Sequence, residues 1–193
     1  MNKISSFRGD FSFLSNFYNA PIEYGGIKYQ NNEAAFQAQK CADAKDKTRF
    51  SNISGAEAKR LGRRVSLRED WEKVKVSIMT DIVHEKFRQH PDLANKLCAT
   101  KNTLIEEGNT WGDRIWGTVN GQGSNLLGKI LMLTRVEMSM EHPIPHNVSF
   151  ICGRSSKNQP PQKGINKMLV GEEEPSPKKT ARHERSKDNE RDR

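Results

Sequence analysis

Glu33 and Lys40 place a carboxylate and an amine seven residues apart in the run Asn31-Asn32-Glu33-Ala34-Ala35-Phe36-Gln37-Ala38-Gln39-Lys40. The composition of that run predicts a helix. At about 3.6 residues per turn, positions i, i+3, i+4 and i+7 share one face, so Glu33, Phe36, Gln37 and Lys40 form a single stripe. Two groups able to exchange protons with a substrate then stand on the same side. A solvated helix face uses the same residue types, with contacts worth roughly 0.2–0.5 kcal/mol per pair. The stripe alone leaves both readings open.

A second segment with chemical content is Trp111-Gly112-Asp113-Arg114-Ile115-Trp116-Gly117, followed by Asn120-Gly121-Gln122-Gly123-Ser124-Asn125-Leu126-Leu127-Gly128. A Gly-rich loop that ends at Ser124 and runs into the apolar stretch Leu126 to Leu133 offers unpaired backbone N–H groups at a helix start, where phosphate binds well. The loop lacks the spacing of a Walker or dinucleotide fingerprint, and a plain tight turn uses the same residues. Trp111 and Trp116 flank Asp113, which suits stacking of a base or ribose beside a carboxylate; a Trp-rich core strand with a turn aspartate reads the same way. The five histidines show no H-x-x-x-H or H-x-x-E-H spacing, so no metal site is expected. Cys41, Cys98 and Cys152 are widely spaced without C-x-x-C and read as reduced thiols, Cys41 as a small packed residue.

The elements that must position these groups read as α+β, mainly helical, with a few short strands. Leu14 to Phe17 and Ile22 to Tyr29, the latter split by Gly25-Gly26, predict short strands or a hairpin leading into the first helix, capped by Asn31 or Asn32. Ser54-Gly55-Ala56-Glu57 and Ser66-Leu67-Arg68-Glu69 both carry the S-x-x-E capping pattern, predicting helices that start near Gly55 and Leu67. In the second of these, Trp71, Val74, Ile78, Ile82 and Phe87 fall mostly at helical spacing and read as core, Trp71 included. His90-Pro91-Asp92 ends that run and opens another helix through Leu93 and Leu97. Thr103 to Glu106 and Ile115 to Val119 alternate like strands, with Asn109-Thr110 as a turn.

The 193 residues suit one domain plus a tail, and 34% hydrophobic content with a mean hydropathy of −0.84 is low for a fully globular chain. Residues 153–193 hold eleven Lys or Arg and seven Asp or Glu, half of the net +8. With Gln159-Pro160-Pro161 and Glu172-Glu173-Glu174-Pro175, this segment has too little apolar surface to offset chain entropy. The expected division is a domain over 1–150 and a charged, disordered tail over 151–193. The tail serves as a nucleic-acid tether or as a solubilising appendage. The N-terminus lacks a secretory h-region and no run nears the ~18 apolar residues of a membrane span, so an intracellular, cytoplasmic location is expected, or a nuclear one in a eukaryote.

Taken together and in order, Phe13-Leu14-Ser15-Asn16-Phe17, Asn32 through Lys40, the run from Glu69-Asp70-Trp71 to Met79, and Trp111-Gly112-Asp113 through Asn125-Leu126-Leu127-Gly128 resemble the NADAR, or YbiA-like, family over roughly residues 4–138. The resemblance implies a single NADAR-like domain that hydrolyses an N-glycosidic bond at a ribose carrying a 5′ phosphate or ADP group, without cofactor or metal. The substrate classes it implies are ADP-ribose on guanine, including in DNA, and phosphoribosyl-amino-pyrimidine intermediates of riboflavin synthesis. Breaking C1′–N builds positive charge at C1′ and negative charge on the base, so a carboxylate and a proton donor are needed. The carry-over makes Glu33 the carboxylate or general base. It makes Lys40 the proton donor or, with its pKa lowered, a nucleophile forming a Schiff base with the opened ribose. Asp113 is expected at ribose hydroxyls or water, Asn16 at the ribose or base edge and Trp111 stacking. Phe17, Phe36, Gln37, Gly112 and Trp116 complete the expected binding residues, with Gly121, Gly123, Ser124 and Asn125 holding phosphate. Three readings follow: a glycosidase for ADP-ribosylated guanine, a glycosidase for riboflavin intermediates, and a non-catalytic module binding NAD or ADP-ribose.

Overall fold

A computed structural model describes residues 2–141. The boundary expected at 150, Cys152 and the tail over 151–193 lie outside the described residues. The described chain is α+β and mainly helical. Strand β1 (Lys3–Ile4) pairs in parallel with β4 (Leu104–Ile105), and β2 (Ile22–Tyr24) pairs antiparallel with β3 (Ile27–Tyr29). Five α-helices accompany them among the described residues: α1 (Asn32–Ala38), α2 (Gly55–Gly62), α3 (Trp71–Gln89), α4 (Pro91–Ala99) and α5 (Leu126–Glu141). None is long and apolar enough to cross a membrane.

Local chemistry explains much of this order. Gly25 and Gly26 take φ of +60° and +76°, which a two-residue hairpin turn of this hand requires, and the turn sets Ile22 opposite Tyr29, both buried. Asn31 caps α1, its Oδ1 accepting from the Ala34 N–H at 2.8 Å. Ser54 and Glu57 form the reciprocal capping box of α2.

Three expected elements differ. Leu14 to Phe17 is no strand: Gly9–Leu14 winds as a 3-10 helix, and the Ser15 and Tyr18 N–H groups donate back to Ser12 and Ser15. With no neighbouring strand, i→i+3 bonds are the available partners. Ser66 caps nothing. Its carbonyl accepts from Ala42 N–H at 3.0 Å, the Arg68 N–H donates to Lys40 at 2.9 Å, and α3 begins only at Trp71. Pairing with 40–42 takes the backbone groups that a helical turn would use. Ile115 to Val119 also fails to form a strand, because the carbonyls of Arg114, Ile115, Trp116 and Gly117 receive the N–H groups of Ser124 through Leu127.

The core lies along α3, which packs against α1, α4 and α5. Met79, Ile82, Val83 and Phe87 are buried there with Leu127, Leu131 and Met138 of α5, each large apolar side chain contributing about 1.5–3 kcal/mol. Lys86, only 1% exposed, is enclosed in this core. Its Nζ donates to the carbonyls of Phe13 at 2.5 Å and Ser15 at 2.9 Å and sits 5.4 Å from the Tyr18 ring centre. That tie holds the segment carrying Asn16 and Phe17. Cys41 and Cys98 are buried free thiols.

Candidate active site

A cavity of about 240 Å³ gathers acids, amines and aromatic rings. Asn16 and Phe17 reach it from the segment after the 3-10 helix, Glu33, Phe36 and Gln37 from α1, and Lys40 from just past that helix. Lys59 comes from α2, Trp71, Lys75 and Met79 from α3, and Glu107, Trp111, Asp113 and Trp116 from the loop after β4.

Helix α1 stops at Ala38, two residues before Lys40. The chain keeps turning nonetheless, since Lys40 N–H donates to Gln37 O at 3.2 Å, while its carbonyl is pinned by Arg68. Glu33 and Lys40 therefore line one cavity despite the short helix. Glu33 is 6% exposed. Burial pushes its carboxyl up; the hydrogen bond from Gln37 Nε2 at 2.8 Å and the charges of Lys59 and Lys40 oppose this, and Asp113 reinforces it. Burial also pushes the Lys40 ammonium down, helped by Lys59 and Arg63 and resisted by Glu33. The two groups are thus shifted toward each other, the condition for exchanging a proton.

The rest of the lining is held by specific packing. Asn16 accepts from Asn32 Nδ2 at 3.3 Å and donates to Met79 Sδ at 3.3 Å, and its carbonyl receives the Glu33 N–H at 3.0 Å. Gly62 lets α2 approach α1: a Cβ there would fall 2.0 Å from Gln37 Oε1. The Phe36 ring centre lies 5.0 Å from that of Trp71 and 5.4 Å from that of Trp116. Trp71, expected as core alone, is both core and cavity lining. Trp111, 61% exposed, stands at the rim. Asp113 Oδ1 accepts the N–H groups of Ile115 and Trp116, both at 2.9 Å, so one of its oxygens already serves the loop.

The residues expected to hold phosphate lie apart from this cavity's lining. Gly121, Gly123, Ser124 and Asn125 do not line the cavity, and neither does Gly112. The N–H groups of Ser124, Asn125, Leu126 and Leu127 donate to the carbonyls of Arg114, Gly117, Ile115 and Trp116, so these four are already paired within the protein.

The NADAR domain model matches residues 6–139. The chain belongs to the NADAR family. It is 38% identical over 136 residues to the N-glycosidase YbiA of Shigella flexneri serotype 5b, covering 68% of this chain and 84% of that protein. It is also 38% identical over 143 residues to the riboflavin biosynthesis protein VVA0006 of Vibrio vulnificus, covering 72% of this chain; the match spans only 38% of the Vibrio protein's length. The NMR structure of the E. coli protein YbiA matches with a TM-score of 0.65 at 34% identity, covering 76% of this chain and 93% of that one. This NADAR protein is an N-glycosidase, an enzyme that hydrolyses N-glycosyl compounds.

The NADAR cavity also contains residues that spacing did not single out: Glu107, Lys59, Lys75 and Met79. A signal for Glu107 existed, because alternation past a strand sends adjacent residues to opposite sides. Glu106 accordingly turns to Lys3 and Thr118, and Glu107 to the cavity. A larger cleft of about 830 Å³ near Lys3, Phe11 and Lys96 contains no carboxylate and so lacks the acid–base pair that glycosidic cleavage needs.

Proposed function

We propose that this NADAR N-glycosidase removes ADP-ribose from ADP-ribosylated guanine, in DNA or in a nucleotide, by hydrolysing the bond between ribose C1′ and the base. The observation that carries the reading is the Glu33–Lys40 pair, a carboxylate pushed up and an amine pushed down in one cavity. As C1′–N breaks, C1′ gains positive charge, which the Glu33 carboxylate stabilises, and Glu33 also takes the proton of the attacking group. A neutral Lys40 amine is able to attack C1′ itself and, after ring opening, to form an imine that water hydrolyses. Phe36, Trp71 and Trp116 supply flat apolar surface for a base or ribose.

The cavity volume of about 240 Å³ falls below the roughly 300–1,000 Å³ of sites that enclose a drug-sized ligand. It suits the ribose and its base, with the remainder of a larger substrate crossing the mouth near Trp111. A second reading, cleavage of a phosphoribosyl-aminopyrimidine, is supported by the name of the Vibrio relative.

Release of free ADP-ribose from guanine-ADP-ribosylated DNA tests the first reading, with Glu33→Gln and Lys40→Ala alongside and a phosphoribosyl-aminopyrimidine as competitor. Release by the wild type and by neither variant is expected. Cleavage of the small substrate alone would transfer the function to the second reading. Borohydride trapping of an adduct on Lys40 tests the imine route; an active enzyme that never traps would exclude it.

A further inference from the structure

We infer that Glu107 is the general acid of this site, handing its proton to the leaving nitrogen as C1′–N breaks. The inference rests on the glycosidase reading above and supplies the step that Glu33 and Lys40 leave open. On the imine route the Lys40 amine that attacks C1′ is neutral, so it cannot also protonate the departing base. A carboxylate that stabilises C1′ must be ionised, so Glu33 cannot either. A third group is required.

Glu107 meets the requirement by position. Its side chain lines the cavity with Glu33, Lys40 and Asp113 and makes no hydrogen bond to another protein group among the described residues. Its backbone, by contrast, is clamped. The N–H donates to Asn125 Oδ1 at 3.0 Å and the carbonyl accepts from Thr118 N–H at 2.8 Å. Gly117 packs so closely that a Cβ there would lie 2.2 Å from that carbonyl oxygen. A half-buried carboxyl on a fixed backbone, left without a protein hydrogen bond among the described residues, is available to a substrate in the cavity.

The charges around it keep the proton on. Asp113 presents a carboxylate whose Oδ1 is fixed by two backbone N–H groups, and Glu33 adds a second acidic neighbour. Burial, Asp113 and Glu33 push the Glu107 carboxyl up to about 7, with Lys59 from α2 as the opposing cation. An acid in that range is about half protonated at pH 7 and gives its proton up readily.

The step balances. The C1′–N electron pair passes to nitrogen, which takes the Glu107 proton, while the Lys40 amine forms the new bond at C1′ and loses a proton to Glu33, and water later hydrolyses the imine to free Lys40. Water is consumed overall. Glu33 returns its proton to solvent and Glu107 takes one back.

The test measures kcat/KM against pH for wild type, Glu107→Gln and Glu107→Asp on whichever of the two N-ribosyl substrates the wild type cleaves. The wild type is expected to lose activity above about pH 7. Glu107→Gln is expected to fall by roughly 10²–10⁴-fold with that alkaline limb removed, and Glu107→Asp to retain part of the rate together with the limb. Because the side chain has no hydrogen-bond partner among the described residues, Glu107→Gln should melt no lower than the wild type. A folded Glu107→Gln within threefold of wild type, or one that keeps the limb, overturns the assignment while leaving the glycosidase reading intact. A wild type inactive on both substrates overturns the two together.

Discussion

Asn125 Oδ1 accepts the backbone N–H of Glu107 at 3.0 Å, and the same side chain donates from Nδ2 to the Ile105 carbonyl at 2.9 Å. A residue at the start of α5 therefore fixes the segment that carries a cavity carboxyl. The Gly-rich loop thus ends in a residue that positions the cavity wall.

Replacing Asn125 by Gly separates these roles. Asn125 has φ of +48°, which Gly adopts without strain, so the change removes only the amide. Two partly buried backbone groups lose this partner, and stability should fall by about 1–3 kcal/mol, with kcat reduced. Ser124→Ala, whose hydroxyl lines no part of the cavity, should stay within about 0.5 kcal/mol and keep its KM. Denaturant melts and steady-state kinetics check both; a tenfold rise in KM for Ser124→Ala would restore the phosphate cradle.

Lys86 should make stability depend on pH. Burial pushes its ammonium down to about 7, whereas in the unfolded chain it titrates near about 10.4. Between those values the unfolded state binds the extra proton, so stability rises with pH, by about 1.4 kcal/mol per unit at most. Below about 7 both states are protonated and the dependence vanishes. Lys86→Met should abolish the slope between pH 7 and 9. Since it also leaves the Phe13 and Ser15 carbonyls without their donor, it should lower activity through Asn16. An unchanged slope by urea titration would rule this out.

Gly62→Ala tests the packing of α2 on α1. Helix propensity favours Ala by up to about 1 kcal/mol, but its Cβ would meet Gln37 Oε1 at 2.0 Å. Gln37 must then leave Glu33, which loses its 2.8 Å donor. The expected outcome is a roughly tenfold or greater fall in kcat/KM, comparable to losing one hydrogen bond to a charged group. Activity at the wild-type level would mean that the Gln37 bond is dispensable.

The two S-x-x-E patterns should behave differently. Ser54→Ala removes a real cap and should lower stability by about 1 kcal/mol. Ser66→Ala removes a hydroxyl that caps no helix and should change it by less than about 0.5 kcal/mol. Thermal melts of the two variants side by side decide the matter.

What the sequence by itself determined is local. The Gly25-Gly26 hairpin, the Asn31 and Ser54 caps, the Pro91 helix start and the common face of Glu33, Phe36, Gln37 and Lys40 depend on neighbours within about one or two helical turns, and their physics is contained in the run of residues. The family's spaced blocks were legible for the same reason. Tertiary structure decided everything that needed a distant partner. Ser66 lost its helix to the backbone of 40–42, and Ile115 to Val119 lost its strand to the loop before α5. Trp71 became cavity lining because Phe36 and Trp116 came to meet it. Glu107 and Lys86 were placed by groups 18 and 73 residues away in the chain. A capping box is closed by a spacing of three, whereas the environment that shifts a buried acid or amine is assembled only when separate elements dock.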